Sequence, residues 1–178
     1  LGFFTEMPCN FNCPYCFTNE IRNNFSNESL SLHDYKNIFL QVKELGAKSI
    51  LWLGNGEPFL YPHFWELIEV ANKIELTVVI FSNGSKIDKV IANKLFELDV
   101  SLYIKLNSFK SEIQNKLIGN IVGGSSLIRS SINNLIAAGF NSCTPSRLAI
   151  QSVITNYNFE EIQELYRWAR DNNIIPLF

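Results

Sequence analysis

Residues 9–16 read CNFNCPYC, so three of the chain's four cysteines, Cys9, Cys13 and Cys16, fall in one short stretch with the spacing C-x3-C-x2-C. A closed structural zinc site takes four ligands, usually including two close cysteine pairs, so this spacing suits it poorly. The stretch holds no histidine, and the nearest, His33, lies beyond the start of the next helical pattern. Iron–sulfur clusters are held by cysteine thiolates, usually four. Three cysteines in one loop can hold three irons of a 4Fe–4S cube and leave the fourth iron open to another ligand. A zinc site and three core cysteines acting as small hydrophobes are the alternatives, and the Asn and Pro between the cysteines make poor core.

The stretch follows the first of six short apolar runs: "LGFFT", "SILWLG", "LTVVIFS", "VSLYIKLN", "RLAIQSVI" and "IIPLF". Runs rich in β-branched and aromatic residues read as buried parallel strands. Segments of helical spacing lie between them. Leu32, Tyr35, Ile38, Phe39, Val42 and Leu45 mark a helix over 32–45 with Gly46 as its C-terminal stop. Further helices are expected over 62–73 from Pro62, over 88–97 near Asp88, over 125–138 before Gly139, and over 159–171 with Asn158 as N-cap. Strand–helix alternation implies βαβ crossovers and a parallel sheet. Crossovers that continue in one direction predict an α/β partial (β/α)6 barrel; a doubly wound sheet is the other architecture compatible with the alternation. In either fold, loops at the C-terminal ends of the strands carry the chemistry.

The 178 residues are expected to form one domain, 1–178. The first residue is Leu rather than Met, and the sequence stops within the sixth strand pattern, where a covering helix is expected; both ends read as truncated. With 47% hydrophobic and 18% charged residues, the composition is that of a folded chain. A net charge of −2 gives no electrostatic reason to expect nucleic acid or an anionic membrane surface. No apolar run approaches the roughly 20 residues of a membrane span, and no signal peptide is visible. A reducing, cytoplasmic setting without a disulfide framework is therefore expected.

The pattern C-x3-C-x-aromatic-C, matched by Cys9, Cys13, Tyr15 and Cys16, resembles that of the radical S-adenosylmethionine (radical SAM) superfamily. The resemblance implies a 4Fe–4S cluster on the three cysteines, with the amine and carboxylate of SAM on the open iron. It also implies reductive cleavage of SAM to a 5′-deoxyadenosyl radical that takes hydrogen from a substrate. Other stretches fall in the order of that family's motifs. "GNGEP", Gly54 to Pro58, is similar to a GGEP motif, with Asn55 as the departure; Gly54, Gly56, Glu57 and Pro58 would then face SAM, with Glu57 an acceptor for its amine. Ser82 and Asn83 in "FSNGS" stand where similar proteins line the SAM site. Lys105 and Asn107 share one face at the end of the fourth strand, and would hold the SAM carboxylate and the ribose hydroxyls. Similar proteins often have Ser and Asp there; a Lys at a strand end can also simply reach solvent. Arg147 shares a face with Gln151 on the fifth strand and is read as facing SAM or substrate, with exposure at the strand entry as the alternative; Asn156 is placed near the ribose.

His33 and His63 have no nucleophile or carboxylate at motif spacing, so hydrolase triads find no support. Cys143 is isolated, and Trp52, Trp65 and Trp168 read as packing residues. Similarity of "IKLNS" and the 152–173 stretch to peptide-modifying radical SAM enzymes makes a peptide or protein the first expected substrate, and a small metabolite or nucleoside the second. A flavodoxin or ferredoxin is the kind of reducing partner implied. An iron–sulfur electron carrier or sensor is the alternative from another class; it needs neither "GNGEP" nor polar strand ends.

Overall fold

A computed structural model describes residues 1–3, 5, 7–18 and 30–178. Six strands form one sheet in sequence order: β1 (Gly2–Phe3), β2 (Ser49–Trp52), β3 (Thr77–Ser82), β4 (Ser101–Lys105), β5 (Leu148–Gln151) and β6 (Ile175–Leu177). Every neighbouring pair is parallel. A doubly wound sheet would reverse its strand order at a switch point, and this order never reverses, so the arrangement is the partial (β/α)6 barrel. Phe4, within the expected first strand, lies outside the described residues.

Both faces of the sheet are apolar, as parallel strands require when helices cover one side and an enclosed interior the other. Ile50, Trp52, Val78, Ile80, Leu102, Ile104, Leu148 and Ile150 are buried in one core with Phe39, Leu67, Leu95, Ile128 and Leu165 of the helices. The alternate positions, among them Leu51, Val79, Phe81, Tyr103 and Ala149, line a cavity of about 300 Å³ inside the curved sheet. Within it the Phe81 and Tyr103 rings stack at 4.6 Å. Trp52 is 1% exposed, and its indole N–H donates to Thr5 Oγ1 at 2.9 Å, so no buried donor is orphaned there. Pro176 stands in β6, at a sheet edge, where a residue without an N–H is tolerated.

The helices are α1 (Leu32–Glu44), α2 (Phe64–Lys73), α3 (Lys89–Glu97), α4 (Ser111–Leu117), α5 (Gly124–Ala137) and α6 (Ile162–Asp171). In α1 the expected boundaries have a physical cause. Ser31 and Asp34 form a reciprocal capping box at the start. At the end, Gly46 at φ +90° donates to Lys43 O and Ala47 donates to Val42 O, which satisfies two otherwise unpaired carbonyls. Asp88 caps α3 through Ile91 N, as read from sequence. Pro62 does not open α2, whose N-cap is His63. Asn158 does not cap α6 through its side chain; a 3-10 turn, Phe159–Glu161, intervenes. Helix α4 has only seven residues and carries no long periodic signal, so sequence reading missed it.

Candidate active site at the strand ends

The loops leaving β1, β2 and β3, with the ends of β4 and β5, surround a cavity of about 460 Å³. Cys9, Cys13, Tyr15, Cys16, Gly54, Gly56, Glu57, Ser82, Asn83 and Lys105 line it, so ten of the fourteen residues singled out from sequence meet in one place. Pro58, Asn107, Arg147 and Asn156 lie outside its wall.

The cysteine loop is held by three neighbouring segments. Asn83 Nδ2 donates to Asn10 Oδ1 at 3.0 Å and approaches Cys9 Sγ at 3.9 Å, while Asn10 Nδ2 donates to Ser85 Oγ at 2.7 Å. Asn12 N donates to Ile118 O at 3.2 Å, and Gly119, at φ +87°, lets its backbone sit against Asn12; a β-carbon there would lie 2.3 Å from Asn12 O. Within the loop, Cys16 N donates to Cys13 O at 3.0 Å and Cys16 Sγ lies 3.2 Å from Thr18 Oγ1.

"GNGEP" does more than face a ligand. Glu57 N donates to Pro8 O at 3.0 Å, and a β-carbon on Gly56 would sit 2.2 Å from Met7 O and 2.6 Å from Pro8 O. Gly56 is therefore required by the close approach of two protein backbones, in addition to its place in the cavity wall. Gly56→Ala is expected to cost about 1–3 kcal/mol or more, because backbone atoms cannot yield. Thermal unfolding of the apo protein checks this; an unchanged melting temperature contradicts the packing. Gly54 needs its positive φ of +69°. Pro58 is buried at the first position of a 3-10 turn (Pro58–Leu60) that Glu57 caps, so its part is structural.

Glu57 is 1% exposed. Its carboxylate accepts from Ser82 Oγ at 2.7 Å and Asn83 N at 2.8 Å, with Phe59 N at 3.4 Å. Burial nevertheless dominates and pushes its pKa up to about 7. A cation brought into the cavity would favour its charged form. Lys105, the last residue of β4, is half-buried beside the cysteines, and among the described residues no carboxylate pairs with it. Burial lowers its pKa, while Cys13 and Cys16 act in the opposite direction. Burial also pushes the Cys13 thiol up to about 11, opposed by a hydrogen bond with Tyr15. Ligation would displace that proton, since iron binds the thiolate.

Among the described residues, no three His, Cys, Asp or Glu side chains are gathered closely enough for one metal ion. A single tetrahedral ion at about 2.3 Å from each sulfur would need sulfurs within about 4 Å of one another. A cluster binds each thiolate to a different iron and takes a wider set of soft ligands, so three thiols on one cavity wall fit a cluster better than a lone ion.

Three sequence readings are corrected. Asn107 is fully buried, and its amide is committed to Tyr15 and to Val153 N, so it is not available for ribose hydroxyls. Arg147 lies at the opposite end of β5. It donates to the carbonyls of Leu95, Phe96 and Val100 and pairs with Asp99 at 3.1 Å. It thereby adds a second donor to two carbonyls at the C-terminus of α3, Leu95 O and Phe96 O, which also accept from Val100 N and Asp99 N. Asn156 is exposed, and the buried asparagine of that loop is Asn158, which donates to Asn107 O and Val153 O. Sequence reading missed Asn10, Ser85, Thr18, Gly119 and the role of Asn158; only "GN" at 119–120 carries a local turn signal.

Residues 8–169 match the family described as the Radical SAM superfamily. The mycofactocin maturase MftC of Mycobacterium tuberculosis is 28% identical over 88% of this chain and 38% of its own length. An S-adenosylmethionine-dependent nucleotide dehydratase of Flammeovirga pacifica is 30% identical over 90% of this chain and 55% of its own. The chain thus spans 38–55% of these relatives. Streptococcus suis SuiB bound to S-adenosylmethionine has the same fold, with a TM-score of 0.76 at 22% identity over 97% of this chain and 36% of that one. So has anSMEcpe with AdoMet and the Cp18Cys peptide, with a TM-score of 0.72 at 17% identity over 98% of this chain and 50% of that one. A match that runs from the residue before Cys9 to within α6 takes in every strand but the first and last, and with it every wall of the cavity: this chain belongs to the radical SAM superfamily.

Proposed function

We propose that the protein binds a 4Fe–4S cluster through Cys9, Cys13 and Cys16, cleaves SAM reductively at it, and acts on a peptide or protein. The observation that carries this is the convergence of three thiols, the buried Glu57 carboxylate and the Lys105 ammonium on one cavity. When bound, the cluster would supply the electron that splits SAM and the open iron that holds it. The chain's own residues do the rest. Glu57 accepts from the SAM amine and Lys105 donates to its carboxylate, opposite charges set at the two ends of an amino acid group. Ser82 and Asn83 hold Glu57 in place. Leu53, Phe81, Ile118 and Val153 give the cavity apolar walls that exclude water from a reactive carbon centre.

A peptide substrate is supported by two structural neighbours, whose complexes contain the Cp18Cys peptide and, for SuiB, the precursor peptide SuiA. A nucleotide is the second reading, favoured by the 30% identical nucleotide dehydratase. A flavodoxin or ferredoxin is the proposed electron donor. No helix among the described residues is long and apolar enough to cross a membrane, and a cytoplasmic location is proposed. Anaerobically reconstituted protein given SAM and a strong chemical reductant is expected to form 5′-deoxyadenosine and methionine slowly without substrate. Mass spectrometry reads the product. Its absence from a cluster-replete, reduced sample favours the electron-carrier or sensor alternative.

A further inference from the structure

Asn107 is fully buried just beyond β4, and all four of its polar groups are used. Its backbone is pinned on both sides: N donates to Gln114 Oε1 at 2.8 Å, and O accepts from Asn158 Nδ2 at 2.7 Å. Its side chain reaches two further segments, accepting from Val153 N at 2.8 Å and donating from Nδ2 to Tyr15 OH at 2.8 Å. The orientation of this amide is not ambiguous. A backbone N–H can only donate, so the atom facing Val153 must be oxygen and the atom facing Tyr15 must be NH2. The Tyr15 oxygen is then an acceptor, and its own hydrogen must go elsewhere. Cys13 is hydrogen-bonded to the same phenol, and once it ligates as a thiolate, which carries no hydrogen, its sulfur can only accept the phenolic one.

We propose that Asn107 is a positioning residue for the cluster: its amide turns the Tyr15 hydroxyl so that the phenolic hydrogen is given to Cys13 Sγ, and that hydrogen bond raises the reduction potential of the bound cluster. The inference rests on the cluster reading above. Reduction adds an electron to the iron–sulfur core and its thiolates. A donor aimed at a ligating sulfur stabilises the added negative charge, and hydrogen bonds to the sulfurs are among the determinants of cluster potential. The polar groups of Asn107 are bonded to Gln114, Asn158, Val153 and Tyr15, so its influence on the potential passes through Tyr15.

Redox titration of the reconstituted cluster without SAM, followed by EPR, tests this in wild type, Tyr15→Phe, Asn107→Ala and the double variant. Tyr15→Phe keeps the ring and removes only the hydroxyl. Its potential is expected to move to a more negative value. Asn107→Ala is expected to move the potential the same way, and the double variant no further than Tyr15→Phe alone. If Asn107→Ala does not fold, Asn107→Asp replaces it. Its carboxylate can still accept from Val153 N and would draw the phenolic hydrogen away from Cys13, so a more negative potential is again expected, and an unchanged one overturns the inference. An unchanged potential in Tyr15→Phe also overturns it, and so do shifts that add in full in the double variant. A wild-type protein that takes up no cluster instead overturns the cluster reading, and this inference with it.

Discussion

Alanine in place of any one of Cys9, Cys13 or Cys16 is expected to abolish the visible absorption and EPR signal of the reconstituted cluster, while Cys143→Ala leaves both intact. Iron content should fall from about four per chain to near zero, since the cube is held by thiolates and a loop with two of them retains too few ligands. The three line one cavity wall. Cys143 follows α5 near the start of β5, where its thiol donates to Gly139 O at 3.6 Å, at the far end of the strands. None of the four is in a disulfide, so no variant breaks a cross-link. The cysteine loop is also anchored by Asn83, Ser85 and Ile118 through contacts that do not use Cys13 or Cys16 sulfur. The apo variants should therefore keep near-native thermal stability, which separates loss of ligation from loss of fold. A cluster retained by the triple alanine variant, or lost in Cys143→Ala, would contradict the assignment.

Strand order and the place of the cavity were legible because both rest on local signals. Runs such as "LTVVIFS" are apolar on both faces, and residues that end or follow strands, such as Ser82 and Cys9, inherit the functional end of the sheet. Alternation tells which face a residue shares, but not which end of the strand it occupies in the barrel. Arg147 and Gln151 share a face, yet they lie about 13 Å apart along β5 at roughly 3.3 Å per residue, so one braces α3 and the other lines the cavity. Lys105 and Asn107 raise the same problem in another form. Both were placed on one face, but the chain leaves the sheet after Lys105, and Asn107 turns toward Tyr15 and Val153. Gly56 lines the cavity as expected, but a glycine beside a motif carries no mark of what else approaches it; here that is the backbone of Met7 and Pro8. Partners such as these lie tens of residues away in the chain, beyond any window of periodicity or turn chemistry.

Glu57→Gln is expected to weaken SAM binding by roughly tenfold or more without loss of the cluster. A hydrogen bond from the SAM amine to a carboxylate shielded from water is worth about 1.5–3 kcal/mol, and about 1.4 kcal/mol is a factor of ten. Glutamine can keep the local frame. Its oxygen can accept from Asn83 N, and its NH2 can donate to Ser82 Oγ, whose hydroxyl rotates, at the cost of the long contact from Phe59 N; the loop that steadies Asn10 and Cys9 therefore stays in place. What the variant loses is charge, and pH gives the signature. Burial raises the folded-state pKa of Glu57 from 4.5 to about 7. Between those values the folded protein binds more protons here than the unfolded chain, so this group's contribution to stability falls as pH rises from about 4.5 to about 7 and is level above that. SAM binding runs the other way. Below pH 7 a proton must first leave Glu57 before its carboxylate can accept from the SAM amine, so wild-type affinity should drop by up to about tenfold per pH unit as pH falls from 7. Calorimetric titration of wild type and Glu57→Gln between pH 6 and 8 checks both effects: a weaker variant with a flattened pH dependence is expected. Equal affinities at pH 8, or parallel pH profiles, would remove Glu57 from the SAM amine and leave it as the clamp between the β2 and β3 loops.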